Sequence, residues 1–101
     1  MAKRQIRYRS EAIAELQKTE QWYRERDEQA ADHWLAAAGQ IVEDIAEHPE
    51  LWAQDKDGIR EVLIRPFSYT VVYRLHADVV EIVAFAHTSR RRRYWKKRLD
   101  S

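Results

Sequence analysis

The 101-residue chain has no cysteine, two prolines, two glycines and one methionine. Without cysteine there is no disulfide framework, no thiolate nucleophile and no Cys-type zinc site. That suits a reducing cytoplasm. With only Gly39 and Gly58, no glycine-rich phosphate loop can be built. Long apolar runs are also lacking. The longest, residues 79–86, is strand-sized, so no membrane span is expected. The opening Met1-Ala2-Lys3-Arg4 is not followed by an apolar stretch of signal-peptide length. The four histidines, His33, His48, His76 and His87, share no metal-ligand spacing, so neither a metal nor another cofactor is expected. No serine or threonine stands in a recognisable nucleophile motif. The expectation is a soluble cytoplasmic protein.

Apolar residues make up 45% of the chain, enough for one modest core, so residues 1–101 are read as a single domain. The net charge of +1 points to no particular partner, but its distribution does. Residues 88–101 hold seven Lys/Arg and one acid, a charge of +6, and the rest of the chain carries −5. A cationic tail on an acidic body predicts an anionic partner for one face, either nucleic acid or an acidic protein segment.

Residues 3–9 alternate, with Ile6 and Tyr8 on one side, and read as a short half-exposed strand. Ser10 is a reasonable N-cap for a first helix carrying Ile13, Leu16 and Tyr23 on its apolar face and Glu15 among its polar residues. Ala31, Trp34, Leu35, Ala38, Ile41, Val42 and Ile45 keep helical spacing over four turns. This second helix should form an antiparallel hairpin with the first, with Ala37, Ala38 and Gly39 as a site of close approach. Pro49 ends it, and Leu51 and Trp52 are expected to fold back as a plug. Residues 54–58 form a polar loop. Residues 59–65, 69–75 and 79–86 then read as strands, with Tyr69, Val71, Tyr73 and Leu75 sharing one face. Short connections favour an antiparallel meander with the last strand central. The fold expected is α+β, in the order β-α-α-β-β-β: a helix hairpin on a mainly antiparallel sheet, with a short basic C-terminal helix.

The last strand runs straight into His87-Thr88-Ser89-Arg90-Arg91-Arg92-Arg93-Tyr94-Trp95. A charge run is ordinarily a solvated face. Here two aromatics interleave with the cations, which suits stacking on bases or guanidinium planes. Adjacent arginines repel one another unless an anion is near, and arginine offers a planar fork for phosphate or carboxylate. His87 closes the strand at the sheet edge, where a lone histidine is more often structural than catalytic.

The pattern as a whole resembles the RelE/ParE superfamily of type II toxin–antitoxin toxins. Its markers are the β-α-α opening, a helix closing near His48-Pro49, Gly58-Ile59-Arg60 entering a strand, residues 66–74 (PFSYTVVYR) and residues 86–91 (AHTSRR). The resemblance implies a small toxin that arrests growth and stabilises a plasmid, and is neutralised by an antitoxin with an acidic amphipathic segment. RelE-like members are ribosome-dependent mRNA endoribonucleases; ParE-like members poison DNA gyrase. RelE-like nucleases typically carry lysines on the strand corresponding to residues 59–65 and an arginine after the hairpin tyrosine. Here those positions hold Glu61, Leu63 and Thr70. An acid and an aliphatic residue do not offset charge on a scissile phosphate, so ParE-like gyrase inhibition is the expectation, with an mRNA interferase as the alternative. Arg60, Arg65, Arg74, Arg90, Arg91, Arg92, Arg93 and Trp95 are the expected target- or nucleic-acid-binding residues. His87 and Tyr94 are the acid/base candidates in the nuclease case. The partners implied are a cognate antitoxin and DNA gyrase, or in the alternative the ribosome and mRNA, and no membrane. A homodimer and a heterotetramer with the antitoxin both stay open.

Overall fold

A computed structural model describes residues 3–100. The elements are β1 (Gln5–Tyr8), α1 (Ser10–Arg24), α2 (Glu28–Glu47), β2 (Ile59–Leu63), β3 (Tyr69–His76) and β4 (Val79–His87). A 3₁₀ helix, Tyr94–Asp100, follows. This is the expected α+β order, with a sheet of strand order β1-β4-β3-β2. The pairs β2–β3 and β3–β4 are antiparallel, whereas β1 lies parallel to β4, from Gln5 opposite Val79 to Tyr8 opposite Ile82. The sheet is therefore mixed, with β4 and β3 inside.

The α2 stripe forms as its spacing dictates. Ala31, Trp34, Ala38, Val42, Ile45 and Ala46 are buried, and Asp27 caps the helix by accepting from the Gln29 N–H at 3.0 Å. Gly39 is exposed and a Cβ there would meet nothing, so the close approach involves Ala38 and not the glycine. In α1 the stripe differs from expectation. Ala12 and Thr19 are buried and Ile13 is 40% exposed. Small residues let α1 lie close against both α2 and β4, and the bulkier Ile13 falls off that line. Ser10 is the first helical residue, and Arg9 at the N-cap makes no side-chain cap. The Trp34 indole N–H donates to the Leu16 carbonyl at 3.1 Å and ties the hairpin together. Its ring packs against Phe67, Tyr69 and Phe85, which anchors the helices to the sheet.

The register of β4 carries an irregularity. Val72 pairs with Ala84 but Tyr73 pairs with Ile82, so Val83 is an extra residue. Val80 and Ile82 face the helices, and after the bulge Phe85 does so too. Val83, Ala84 and Ala86 face the other side, where they form a second, smaller core with Ile59, Val72 and Trp95. The C-terminal segment covers this face, so the sheet is clothed on both sides rather than one.

The linker after α2 is held by the Tyr73 hydroxyl, which donates to the buried Pro49 carbonyl at 2.7 Å. Burial pushes that phenol up to about 12. Trp52 packs on the main core as a plug; Leu51 does not, being 70% exposed. Among the described residues no helix is long and apolar enough to cross a membrane.

Candidate functional site: a cationic ridge carried on β4

β1 ends opposite Ile82, where the Arg9 N–H still donates to the Ile82 carbonyl at 3.0 Å. Beyond that point the outer edge of β4 has no strand beside it, yet its backbone polar groups need partners. Side chains supply them. Glu15 on α1 accepts the Phe85 N–H at 3.1 Å, and Arg98 donates to the Val83 carbonyl at 3.1 Å. The two side chains also bind each other through a two-pronged pair, at 2.9 and 3.0 Å. The Tyr94 hydroxyl donates to the same carboxylate at 2.5 Å. Burial, and then this bond, push the Tyr94 phenol above its ordinary value. Glu15 was expected among the solvated residues of α1. The one signal against that is its spacing, three residues after the buried Ala12 and four before the buried Thr19.

A second fastening holds the start of the tail. Asp55 folds the loop before β2, accepting the N–H groups of Asp57 at 2.8 Å and Ile59 at 3.0 Å. Gly58 takes the positive φ of 80° that this turn needs. Arg93 then bridges Asp55 at 2.5 Å and Asp57 at 2.8 Å. Burial alone would raise the Asp55 carboxyl, but the Ile59 N–H and Arg93 outweigh it and hold it below its ordinary range. Arg93 itself sits at φ 59°, a left-handed conformation that a long side chain rarely adopts. The Thr88 N–H, donating to the Ser68 carbonyl at 2.9 Å, fixes the other end.

These fastenings sort the arginine run. Arg93 is used up by its two aspartates. Arg90 lies 3.9 Å from the Tyr94 ring centroid, exposed and stacked. Arg91 and Arg92 are exposed and have no carboxylate partner among the described residues. Together they line a cleft of about 380 Å³ whose remaining walls include Glu61, Thr70, His87 and Thr88. Trp95, expected on the contact surface, is instead 2% exposed and belongs to the second core. The turn at residues 90–93 sends its indole inward over β3 and β4.

The other expected residues are dispersed. Arg60 points to the helix side of β2 and donates to the Trp52 carbonyl at 2.6 Å. Arg65 is exposed in the loop before Pro66, away from the cleft. Arg74 shares the face of the tail but lies at its far end, 2.5 Å from Glu81. Glu81 also accepts from Arg9 at 3.1 Å and lies 2.7 Å from His76. Burial pushes this carboxyl up, but Arg74, His76 and Arg9 outweigh that and hold it at about 2.

His87 stands between the cleft and a second groove of about 410 Å³ walled by Trp22, Tyr23, Tyr69 and Phe85. Its ring meets Tyr69 edge-on at 4.9 Å, and Ser89 lies against its Nδ1 through both N–H, at 3.0 Å, and hydroxyl, at 2.7 Å. Tyr94, the other acid/base candidate, has its proton committed to Glu15. The stretch of β4 edge beyond β1 is closed by Glu15 and Arg98. A family model described as the ParE toxin of the type II toxin-antitoxin system, parDE, matches residues 6–92. No curated protein matches the chain. Among solved structures, "Chromosomal ParDE TA system from P. aeruginosa" is similar, with a TM-score of 0.62 at 14% identity over 83% of this chain and 95% of that one. At that identity the likeness speaks for the fold.

Proposed function

Because the chain belongs to the ParE toxin family, we propose that it halts growth by binding DNA gyrase, without a catalytic centre of its own, and that a cognate antitoxin neutralises it in the cytoplasm. One observation carries the choice of a binding inhibitor over a nuclease. The cleft beside the cationic loop is walled by Glu61 and Thr70, where RNA cleavage would need cations, and its tyrosine is bound to a carboxylate. What the site does offer is fixed positive charge on a rigid support. That is the equipment of a contact surface.

The antitoxin has two neighbouring features to use. Apolar side chains suit the groove at Trp22, which is 52% exposed, and an acidic one suits Arg90 on its rim. Docking steered by charge should be fast and salt-sensitive.

Induced expression without antitoxin, followed by microscopy and transcript integrity in one culture, tests the reading. Filamentation with intact mRNA, together with loss of supercoiling by purified gyrase, is expected. Rapid translation arrest with cleaved transcripts would overturn it in favour of an mRNA interferase built on His87.

A further inference from the structure

The cations left over once the tail is fastened do not sit in one pocket. Arg91 and Arg92 form a crest between the cleft at Thr70 and a second cleft of about 510 Å³, which Lys96 and Lys97 line from the far side. Arg90 extends the row along the first cleft. All five are exposed, and among the described residues none has a carboxylate partner. Asp100 is the one acid on the far cleft and Glu61 the one on the near. The crest is held from below by Arg93 on Asp55 and Asp57 and by Tyr94 and Arg98 on Glu15. Repulsion among these exposed, adjacent cations is screened by water and salt, and an anion with several charges at short intervals relieves it further.

We propose that this crest binds the phosphate backbone of duplex DNA, so that the toxin recognises gyrase together with its DNA rather than gyrase alone. The inference rests on the gyrase reading above. Two observations favour a phosphate backbone over an acidic peptide. Cations line both clefts with one acid on each, and the broadest apolar wall lies elsewhere, so an amphipathic peptide would find its main apolar strip away from the crest. The aromatic strip lies on the other side of His87, in the groove at Trp22, Tyr23 and Tyr69. A row of arginine forks and lysine points around a crest instead matches phosphates that recur along a strand.

The test is fluorescence anisotropy of the full chain with a labelled mixed-sequence DNA duplex, at several salt concentrations. Five phosphate contacts predict a log–log salt slope of roughly −4 to −5, and a loss of affinity of about 10²–10³ between 50 and 200 mM salt. Arg91→Ala/Arg92→Ala should reduce the slope by about 2 with unchanged circular dichroism. Lys18→Ala/Arg26→Ala, which removes two cations elsewhere, should leave the crest's share intact. No binding at low salt, or equal slopes for the two variants, overturns the proposal. So does equal displacement of the duplex by polyglutamate of matched charge, which would make the crest a protein-binding surface. Supercoiling inhibition measured in parallel separates the failures. A toxin that inhibits gyrase but does not bind duplex defeats the crest alone. A duplex binder that leaves gyrase untouched defeats the gyrase reading and joint recognition with it, and leaves only the crest's phosphate binding standing.

Discussion

Glu15 and Glu81 each gather several donors around one carboxylate, but from different distances along the chain. The partners of Glu81 are brought to it by the sheet itself. Arg74 is its register partner on β3, His76 lies two residues on, and Arg9 follows β1. Forming the sheet forms the cluster. The partners of Glu15 come from the other end of the molecule, Tyr94 and Arg98, and from a β4 edge that lacks a strand. Closing that long loop is entropically costly, and two charged bonds and a phenol offset it. One cluster stitches the scaffold, and the other attaches the cationic tail. Breaking Glu81 should therefore act on stability, whereas breaking Glu15 should act on tail order.

The largest effect is expected for Glu81→Ala. It leaves Arg9 and Arg74 facing each other, partly buried, and should cost about 3–5 kcal/mol in urea unfolding. A loss below about 1 kcal/mol would mean that water already screens the cluster, and the contrast with Glu15 would fail. Next comes acid. The folded Glu81 carboxyl lies at about 2 against an ordinary 4.5. Its contribution is thus complete above pH 4.5 and is lost as pH falls towards 2, a decline of roughly 2–3 kcal/mol. Urea midpoints at pH 7 and pH 3 should show the decline in the wild type and a smaller one in Glu81→Ala. Third, Glu15→Gln keeps an acceptor for Phe85 but turns an amide donor towards Arg98 and Tyr94. Losing roughly 2 kcal/mol of tail fastening should speed tryptic cleavage after residues 90–98 about 30-fold, ahead of any cleavage in the helices. Cleavage at the wild-type rate would sink the assignment of Glu15 as the tail's anchor. The smallest effect lies outside both clusters. Gly39→Ala, on an exposed helix face open to solvent, should stabilise the protein by about 0.5–1 kcal/mol with no change in tail cleavage.

Much of the scaffold was legible in the chain because its signals are local. The α2 stripe and the alternation of Tyr69, Val71, Tyr73 and Leu75 follow from helix and strand periodicity and were recovered in place. What was hidden depends on distant partners. Parallel pairing of β1 with β4 leaves no short turn to read. The bulge at Val83 sits in a run where either face would hold apolar residues, so one extra residue makes no visible mark. Ile13 looked like core, but helix approach distance favoured Ala12 and Thr19. In the tail, cations were legible as cations, but not which of them would be spent. Arg93 and Arg98 became struts while Arg91 and Arg92 stayed free of carboxylates, because loop 54–58 and α1 supply acids that sequence distance conceals. Trp95 turned inward for the same reason. An aromatic between arginines reads alike whether it faces solvent or a second core.

The closing of β4 by Glu15 and Arg98 also bears on strand pairing along that edge. Val83 to Ala86 are buried apolar residues, and a bare edge there would be a template for a strand from another chain. Two charged side chains occupy that template with hydrogen bonds a strand would otherwise make. A chain cut short before Tyr94 would lose Arg98 and the indole of Trp95 together, exposing the edge and the small core in one step. Such a fragment should form aggregates rather than a folded monomer, so the segment that carries the cations also guards the β4 edge.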